Sequence, residues 1–357
     1  MLFDLLNSEF TLSENYNYDF IIIGSGPAGI TIARKLESNG KFVALIEGGG
    51  LEETDESRKI YKGKVIGDKY FDLRDCRLRY LGGTSNHWSG MSRNFEDIDF
   101  KRDYLGEEYK WPISLKEINK YQLEASQIIE IENNFNDHKI FNSNFKSIEF
   151  HDSYVNFKDK YLDEFKRSKK IHLYHNANLK DFRGNERKIN SIILESFNRK
   201  SLEISAKNFI LCMGGIENSR FLLWIKEKYN NKYFDENLPI GNYWMEHPHF
   251  TMGNALIMKK KFPYTNLSLE GEVQEKLKIL NCGIRIRWSK EKQSTKKLIK
   301  DILCYAPNIG KKFANYFDRN LICGAKIRAA WEQAPNIDSQ IILDKDKDFF
   351  GIPRPVL

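Results

Sequence analysis

The stretch from Asp19 to Gly49 reads DFIIIGSGPAGITIARKLESNGKFVALIEGG and decides the fold. Tyr18 to Ile23 is dense in β-branched and aromatic residues and runs straight into glycines, which predicts a strand ending in a tight turn. Ile30 to Leu36 reads as helix, Asn39 and Gly40 stop it, and Phe42 to Ile46 predicts a second strand. Gly24, Gly26 and Gly29 stand in G-x-G-x-x-G spacing between strand and helix, and Glu47 closes the second strand. Each residue type has a physical task. The first glycine permits the turn, the second lets backbone N–H groups approach a pyrophosphate, and the third lets helix and strand pack closely. The helix N-terminus adds partial positive charge for the phosphates. Glu47 is placed to accept hydrogen bonds from a ribose and would repel a 2′-phosphate, which favours FAD or NAD over NADP. The fingerprint alone does not separate FAD from NAD.

Outward from this unit, Arg79 to Phe95 reads RYLGGTSNHWSGMSRNF. Gly82 and Gly83 followed by Thr84, Ser85 and Asn86 combine a pliable backbone with small donors suited to a second phosphate or a polar ring edge. Ala206 to Leu223, AKNFILCMGGIENSRFLL, is a further strand, glycine turn and helix, with Gly214 and Gly215 at the turn. Two glycine turns beyond the first suit a long, two-phosphate cofactor. Between these segments, Ser114 and Glu117 form a capping-box pattern for a helix reaching about Ile131, and Asn133 to His151 reads as loop and lobe boundary. Short strands are expected at Ile171 to Tyr174, Ile189 to Glu195, Leu202 to Ile204 and Phe209 to Cys212.

These glycine segments resemble the glucose-methanol-choline (GMC) family of FAD-dependent oxidoreductases. The Thr84-Ser85-Asn86-His87-Trp88 core is similar to the loop of the pyranose-oxidase and fructose-dehydrogenase branch, which passes along the flavin. In some members a histidine at the place of His87 is bonded covalently to the flavin's 8α-methyl carbon. A neutral imidazole is a competent nucleophile for that bond, and a simple hydrogen bond beside the cofactor is the alternative. Pro239 to Phe250, PIGNYWMEHPHF, resembles the family's segment near the substrate cavity. Its His247 and His249 lack a companion ligand set at recognisable spacing, so no metal site is expected. Glu332, Pro335, Asn336 and Ser339, and then Asp348, Gly351 and Pro353, also match the family's pattern.

The resemblance implies an α/β chain (α+β overall) with two lobes. A Rossmann-like FAD-binding lobe is expected over 15–95 and 166–247, and a mixed-sheet substrate-binding lobe over 96–165 and 248–357. It implies oxidation of a CH–OH group of a sugar or other alcohol by hydride transfer to flavin, with Gly24, Gly26, Gly29, Glu47, Gly82, Gly83, Thr84, Asn86, His87, Gly214 and Gly215 around the cofactor. The family's catalytic His, followed by His or Asn, lies near the C-terminus, and none of the seven histidines here has that context. No catalytic residue is therefore assigned. The expectation is a C-terminally truncated member, inactive because a general base is commonly worth about 10²–10⁴-fold, and marginally stable because an absent strand would leave a sheet edge and apolar faces uncovered. A non-catalytic FAD-binding remnant and an NAD-dependent enzyme are the alternatives.

Composition narrows the classes. The chain of 357 residues is 41% hydrophobic, enough for a large core. Its net charge of +7 is spread through the sequence without the block of like charge that a nucleic-acid arm needs. The five cysteines, Cys76, Cys212, Cys282, Cys304 and Cys323, are scattered and suggest neither a disulfide framework nor a zinc site. MLFDLLNSEF at the start lacks a basic region before an apolar run, and no membrane-spanning stretch follows. A cytoplasmic protein with a small-molecule substrate is the expectation, its electron acceptor unspecified.

Overall fold

The computed structural model describes residues 1–7, 9, 16–185, 188–255, 265–288, 308–309, 312 and 325–357. Cys304 and Cys323 lie outside the described residues. The chain divides into two compact units, the first made of residues 1–90, 154–244 and 336–357, the second of 91–153 and 245–335.

The first unit holds β1 (Leu2–Asp4), β2 (Tyr18–Ile23), α1 (Pro27–Ser38), β3 (Val43–Ile46), α2 (Asp55–Ile60), α3 (Phe157–Arg167), β4 (Ile171–His175), β5 (Asn178–Asn185), β6 (Lys188–Glu195), β7 (Ser201–Leu211), α4 (Gly215–Lys228), β8 (Ile342–Lys347) and β9 (Pro353–Val356). Its main sheet has the order β1-β4-β3-β2-β7-β6-β5. The first five strands run parallel, and β7, β6 and β5 form an antiparallel meander. Ile21 to Ile23 and Val43 to Ile46 are buried on both faces, as central parallel strands demand. Burying each such side chain contributes about 1.5–3 kcal/mol.

The two short strands expected at 202–204 and 209–212 are one long strand, β7. It changes partner along its length. Ser201 to Ser205 pair with β6, while Ala206 to Leu211 pair in parallel with β2. Local composition cannot show such a change, because each half reads as a short strand of its own. The capping box at Ser114 and Glu117 forms, but the expected helix breaks into Leu115–Asn119 and Gln122–Ile128. Asn133 to His151, read as loop, contains the strands His138–Lys139 and Phe145–Ser147. They complete a six-stranded antiparallel sheet in the second unit with Asn266–Leu269, Cys282–Trp288, Ala325–Trp331 and His249–Ala255.

The lobe boundaries differ from those read in the sequence. The sequence pattern puts residues 336–357 in the second lobe, yet they cluster with the first unit. The reason is a set of long-range bonds. Arg220 of α4 donates from Nε to the Pro353 carbonyl (2.6 Å) and from Nη2 to Asp348 (2.6 Å) and the Ile352 carbonyl (3.1 Å). Trp244 N–H donates to the Ser339 carbonyl (2.7 Å) and Ile341 N–H to Gly241 (2.7 Å). Residues 154–165 also belong to the first unit, where Arg34 of α1 pairs with Glu164 of α3 at 2.6 Å and lies 4.3 Å from the Tyr161 ring centre.

One buried cluster in this unit makes stability pH-dependent. The Tyr18 hydroxyl bonds His172 Nδ1 (2.8 Å) and the Tyr174 hydroxyl (2.7 Å), with the rings of Phe3, Tyr16 and Phe42 edge-on to the imidazole. Burial, helped by the nearby N-terminal charge, pushes His172 down from its ordinary 6.5 to about 4. In this window the unfolded chain binds a proton that the folded chain refuses. The contribution is therefore fully present above pH 6.5 and is lost as pH falls toward 4. At about 1.4 kcal/mol per pKa unit, the loss is about 3 kcal/mol. Chemical denaturation at steps through this range should show it, and a His172→Gln variant should give a flatter curve. An equally steep curve in the variant would rule the cluster out as the cause.

Candidate functional site

Strand register gathers the glycine turns. Ile23 at the end of β2 lies beside Leu211 of β7 and Ile46 of β3, all parallel, so the turns that follow leave the same edge of the sheet. Gly24 N–H donates to the Ile46 carbonyl (2.8 Å), Cys212 N–H to Ile23 (2.6 Å), and Glu47 N–H to Tyr174 of β4 (2.8 Å). Ligands of open α/β sheets bind at the carboxyl ends of such strands.

Two of the fingerprint glycines are forced by the protein itself. Gly24 has φ +106°, and a Cβ on it would lie 2.3 Å from the Cys212 carbonyl oxygen. A Cβ on Gly29 would lie 1.9 Å from the Gly24 carbonyl oxygen, so helix α1 can approach β2 only without one. Gly26 is different, because a Cβ there meets nothing within 4 Å. It caps α1, whose first turn holds Pro27, no acidic residue and, among the described residues, no side-chain cap. Open space above Gly26 and uncapped N–H groups beneath it fit a diphosphate.

The second glycine segment packs directly on the first. Gly82 N–H donates to the Ser25 carbonyl (3.0 Å), Leu81 N–H to Gly50 (3.1 Å), and a Cβ on Gly83 would lie 3.2 Å from the Gly26 Cα. Gly83–His87 forms one 3-10 turn. Thr84 and Asn86, read as donors toward a ligand, each make one bond within this loop. Thr84 Oγ1 accepts from Leu78 N–H (3.2 Å), and Asn86 Nδ2 donates to the Leu81 carbonyl (2.8 Å). His87 ends the turn with its side chain exposed. Trp88 donates from Nε1 to the Val155 carbonyl (3.1 Å), a packing role. Gly214, with φ +84° and nothing near its Cβ position, caps the 14-residue helix α4, and Gly215 follows at its first turn.

Between these turns lies a cleft whose uncharged lining is Ile23, Gly24, Gly48, Ala177, Leu179 and Met213. Its ionisable side chains are Glu47, Tyr61, Arg79 and Glu217. Arg79 donates from Nη2 to Asn178 Oδ1 (2.5 Å) and from Nη1 to Ser57 Oγ (3.2 Å), and it fills the space where a Cβ on Gly48 would come within 2.2 Å of it. Arg77 packs on the Tyr61 ring (4.1 Å to its centre) and donates to Glu217 (2.8 Å). Burial alone would raise the Glu217 carboxyl, but Arg220 and Arg77 outweigh it and hold the group below the usual carboxylate range. Glu47 is nearly buried. Its Oε2 accepts from Ser25 Oγ (2.5 Å) and Ser25 N–H (3.3 Å), and its Oε1 from Gly49 N–H (2.8 Å).

The structure thus brings together Gly24, Gly26, Gly29, Glu47, Gly82 and Gly83 and sets Gly214 on the same sheet edge. Sequence reasoning passed over Ser25, Tyr61, Arg79 and Glu217. Ser25, Arg79 and Glu217 stand inside the quoted motifs, but with no role of their own assigned there. Nothing around Tyr61 marks it. Elsewhere, His247 and His249 lie in the second unit with ring centres 4.6 Å apart. Among the described residues no three His, Cys, Asp or Glu side chains gather as a metal site. Glu332 makes a two-pronged ion pair with Arg102 (2.5 and 2.8 Å). No helix of the described residues is long and apolar enough to cross a membrane.

This is a Rossmann-like α/β fold, and it is shared with a solved oxidase. Pyridoxine 4-oxidase from Mesorbium loti superposes with a TM-score of 0.56 over 95% of this chain and 75% of its own, at 13% identity. Over 50 residues the chain is 44% identical to patulin synthase of Penicillium expansum, a match spanning 14% of this chain and 8% of that protein. No protein-family model matches the chain.

Proposed function

We propose that the first unit binds FAD and that the chain is a flavin-dependent oxidoreductase of the GMC type, acting on a CH–OH group of an alcohol or sugar. One observation carries this reading. Two glycine turns and an acid follow the carboxyl ends of adjacent parallel strands and a third glycine turn packs on the first, with open backbone at Gly26 and Gly214 and crowded backbone at Gly24 and Gly29. A mononucleotide needs one such turn, whereas a dinucleotide long enough to reach past Gly26 to the Gly82 segment makes use of the others. In this reading Glu47 holds the ribose, Gly26 and α1 hold the diphosphate, and Gly82 to His87 run toward the flavin. The bound flavin would supply a hydride acceptor. The chain's own residues would orient it and shield it from water. The oxidase named among the structural neighbours supports oxidation as the reaction, and the sugar preference rests on the resemblance of the Thr84 to Trp88 loop.

The test is whether protein purified from a flavin-replete host carries a yellow chromophore at one per chain. Acid precipitation then separates the two roles open to His87. Colour in the pellet means a covalent bond, and colour in the supernatant means FAD held by contacts alone. A colourless protein that takes up no added FAD but binds NADH would overturn the reading in favour of a nicotinamide enzyme.

A further inference from the structure

We propose that Ser25 is a positioning residue for the cofactor's adenosine ribose, acting through Glu47; this rests on the cofactor reading above. Glu47 emerges from β3 into the cleft, and its carboxylate has about four lone-pair sites to satisfy. The protein occupies three. Ser25 supplies two donors to Oε2, its hydroxyl at 2.5 Å and its N–H at 3.3 Å, and Gly49 N–H supplies one to Oε1 at 2.8 Å. The remaining site is on Oε1, the oxygen that the Ser25 hydroxyl does not touch.

Ser25 is wholly buried and Glu47 is 6% exposed, so water does not compete for the hydroxyl bond. The serine hydroxyl thereby fixes the carboxylate plane before any ligand arrives and leaves a single acceptor direction for a ribose hydroxyl. A carboxylate held this way binds without first losing rotamer freedom, the advantage that preorganisation confers. Ser25 is also tied on its other side, where its carbonyl accepts from Gly82 N–H at 3.0 Å. Replacing the side chain leaves both backbone bonds in place. The hydroxyl's contribution can therefore be removed separately from the join between the two glycine segments.

Calorimetric titration of the full, flavin-stripped chain with ADP and with 2′,3′-dideoxyadenosine diphosphate isolates the ribose contact. The unsubstituted protein should prefer ADP by about tenfold or more, the scale of a hydrogen bond to a charged group. In Ser25→Ala, affinity for the dideoxy analogue should be unchanged while the preference for ADP falls to less than about threefold. Ser25→Cys, a weaker donor of similar size, should lie between the two. A merely structural role would lower both affinities together, and that outcome, or a Ser25→Ala protein that keeps the full preference, overturns the assignment. If Ser25→Ala does not fold, Ser25→Cys alone decides, with an undiminished preference counting against the proposal. The cofactor reading fails separately. A parent protein that binds neither ADP nor FAD refutes that reading and this one with it, whereas one that binds both nucleotides equally refutes only the ribose contact.

Discussion

Replacing Arg220 by methionine should lower the unfolding free energy by about 3–5 kcal/mol, the cost of removing one partner from a buried ion pair. Arg220 is 2% exposed and Asp348 7%, and nothing else among the described residues offers Asp348 Oδ2 a charged donor. The arginine also donates to Glu217 (3.0 Å) and to the Ile352 and Pro353 carbonyls, so methionine leaves two carboxylates and two carbonyls short of a donor. Asp348→Ala should cost a similar amount. Its Oδ1 accepts from Phe350 and Ile352 N–H (2.8 and 3.1 Å), which holds the turn between β8 and β9. The two substitutions remove the same bond, so the double variant should lose clearly less than the sum of the singles. Urea unfolding of the four proteins reads this directly. A loss below about 1 kcal/mol for Arg220→Met would mean that the hairpin docks by its apolar contacts alone.

Substituting alanine at Gly29 and at Gly26 should separate folding from binding. At Gly29 the new methyl would sit 1.9 Å from the Gly24 carbonyl oxygen, a backbone atom that cannot swing aside. Either α1 lifts from β2 or the Gly24 turn shifts, and overpacking of this kind costs about 1–3 kcal/mol or more. Because the same turn carries the proposed diphosphate site, FAD retention should be lost as well. At Gly26 the methyl meets nothing within 4 Å of protein, and its φ of −75° suits any residue. Gly26→Ala should therefore melt like the parent protein, yet hold FAD at least about tenfold more weakly, since the methyl enters the space proposed for the diphosphate. Thermal melts and flavin fluorescence titration check both arms. Unchanged FAD affinity in Gly26→Ala would place the diphosphate elsewhere and remove the basis for assigning the site.

The contrast between these glycines bears on how much the sequence could disclose. The spacing of Gly24, Gly26 and Gly29 marked all three as needed, but two are required by packing and one is left open. The letters cannot distinguish those reasons, since the decisive atoms, the carbonyl oxygens of Cys212 and Gly24, belong to the fold. Likewise Thr84 and Asn86 were legible as loop residues with polar side chains. That they tie their own loop depends on backbone groups of Leu78 and Leu81 brought into reach by the turn.

What the sequence determined by itself was the local grammar: strand, glycine turn, helix and strand from Tyr18 to Glu47, the capping box at Ser114, and the strands that begin at Ile171 and Ile189. These are short-range effects of β-branching, helix stops and glycine's freedom, readable within about ten residues. Only the tertiary structure decided that 336–357 joins the first unit, that β7 serves two partners, and that Ser25 faces Glu47. Each of these depends on groups far apart in the chain, such as Arg220 and Asp348, 128 residues from one another. Buried charges and hydroxyls choose partners by proximity after the sheet has formed, and no periodicity in the chain records that choice.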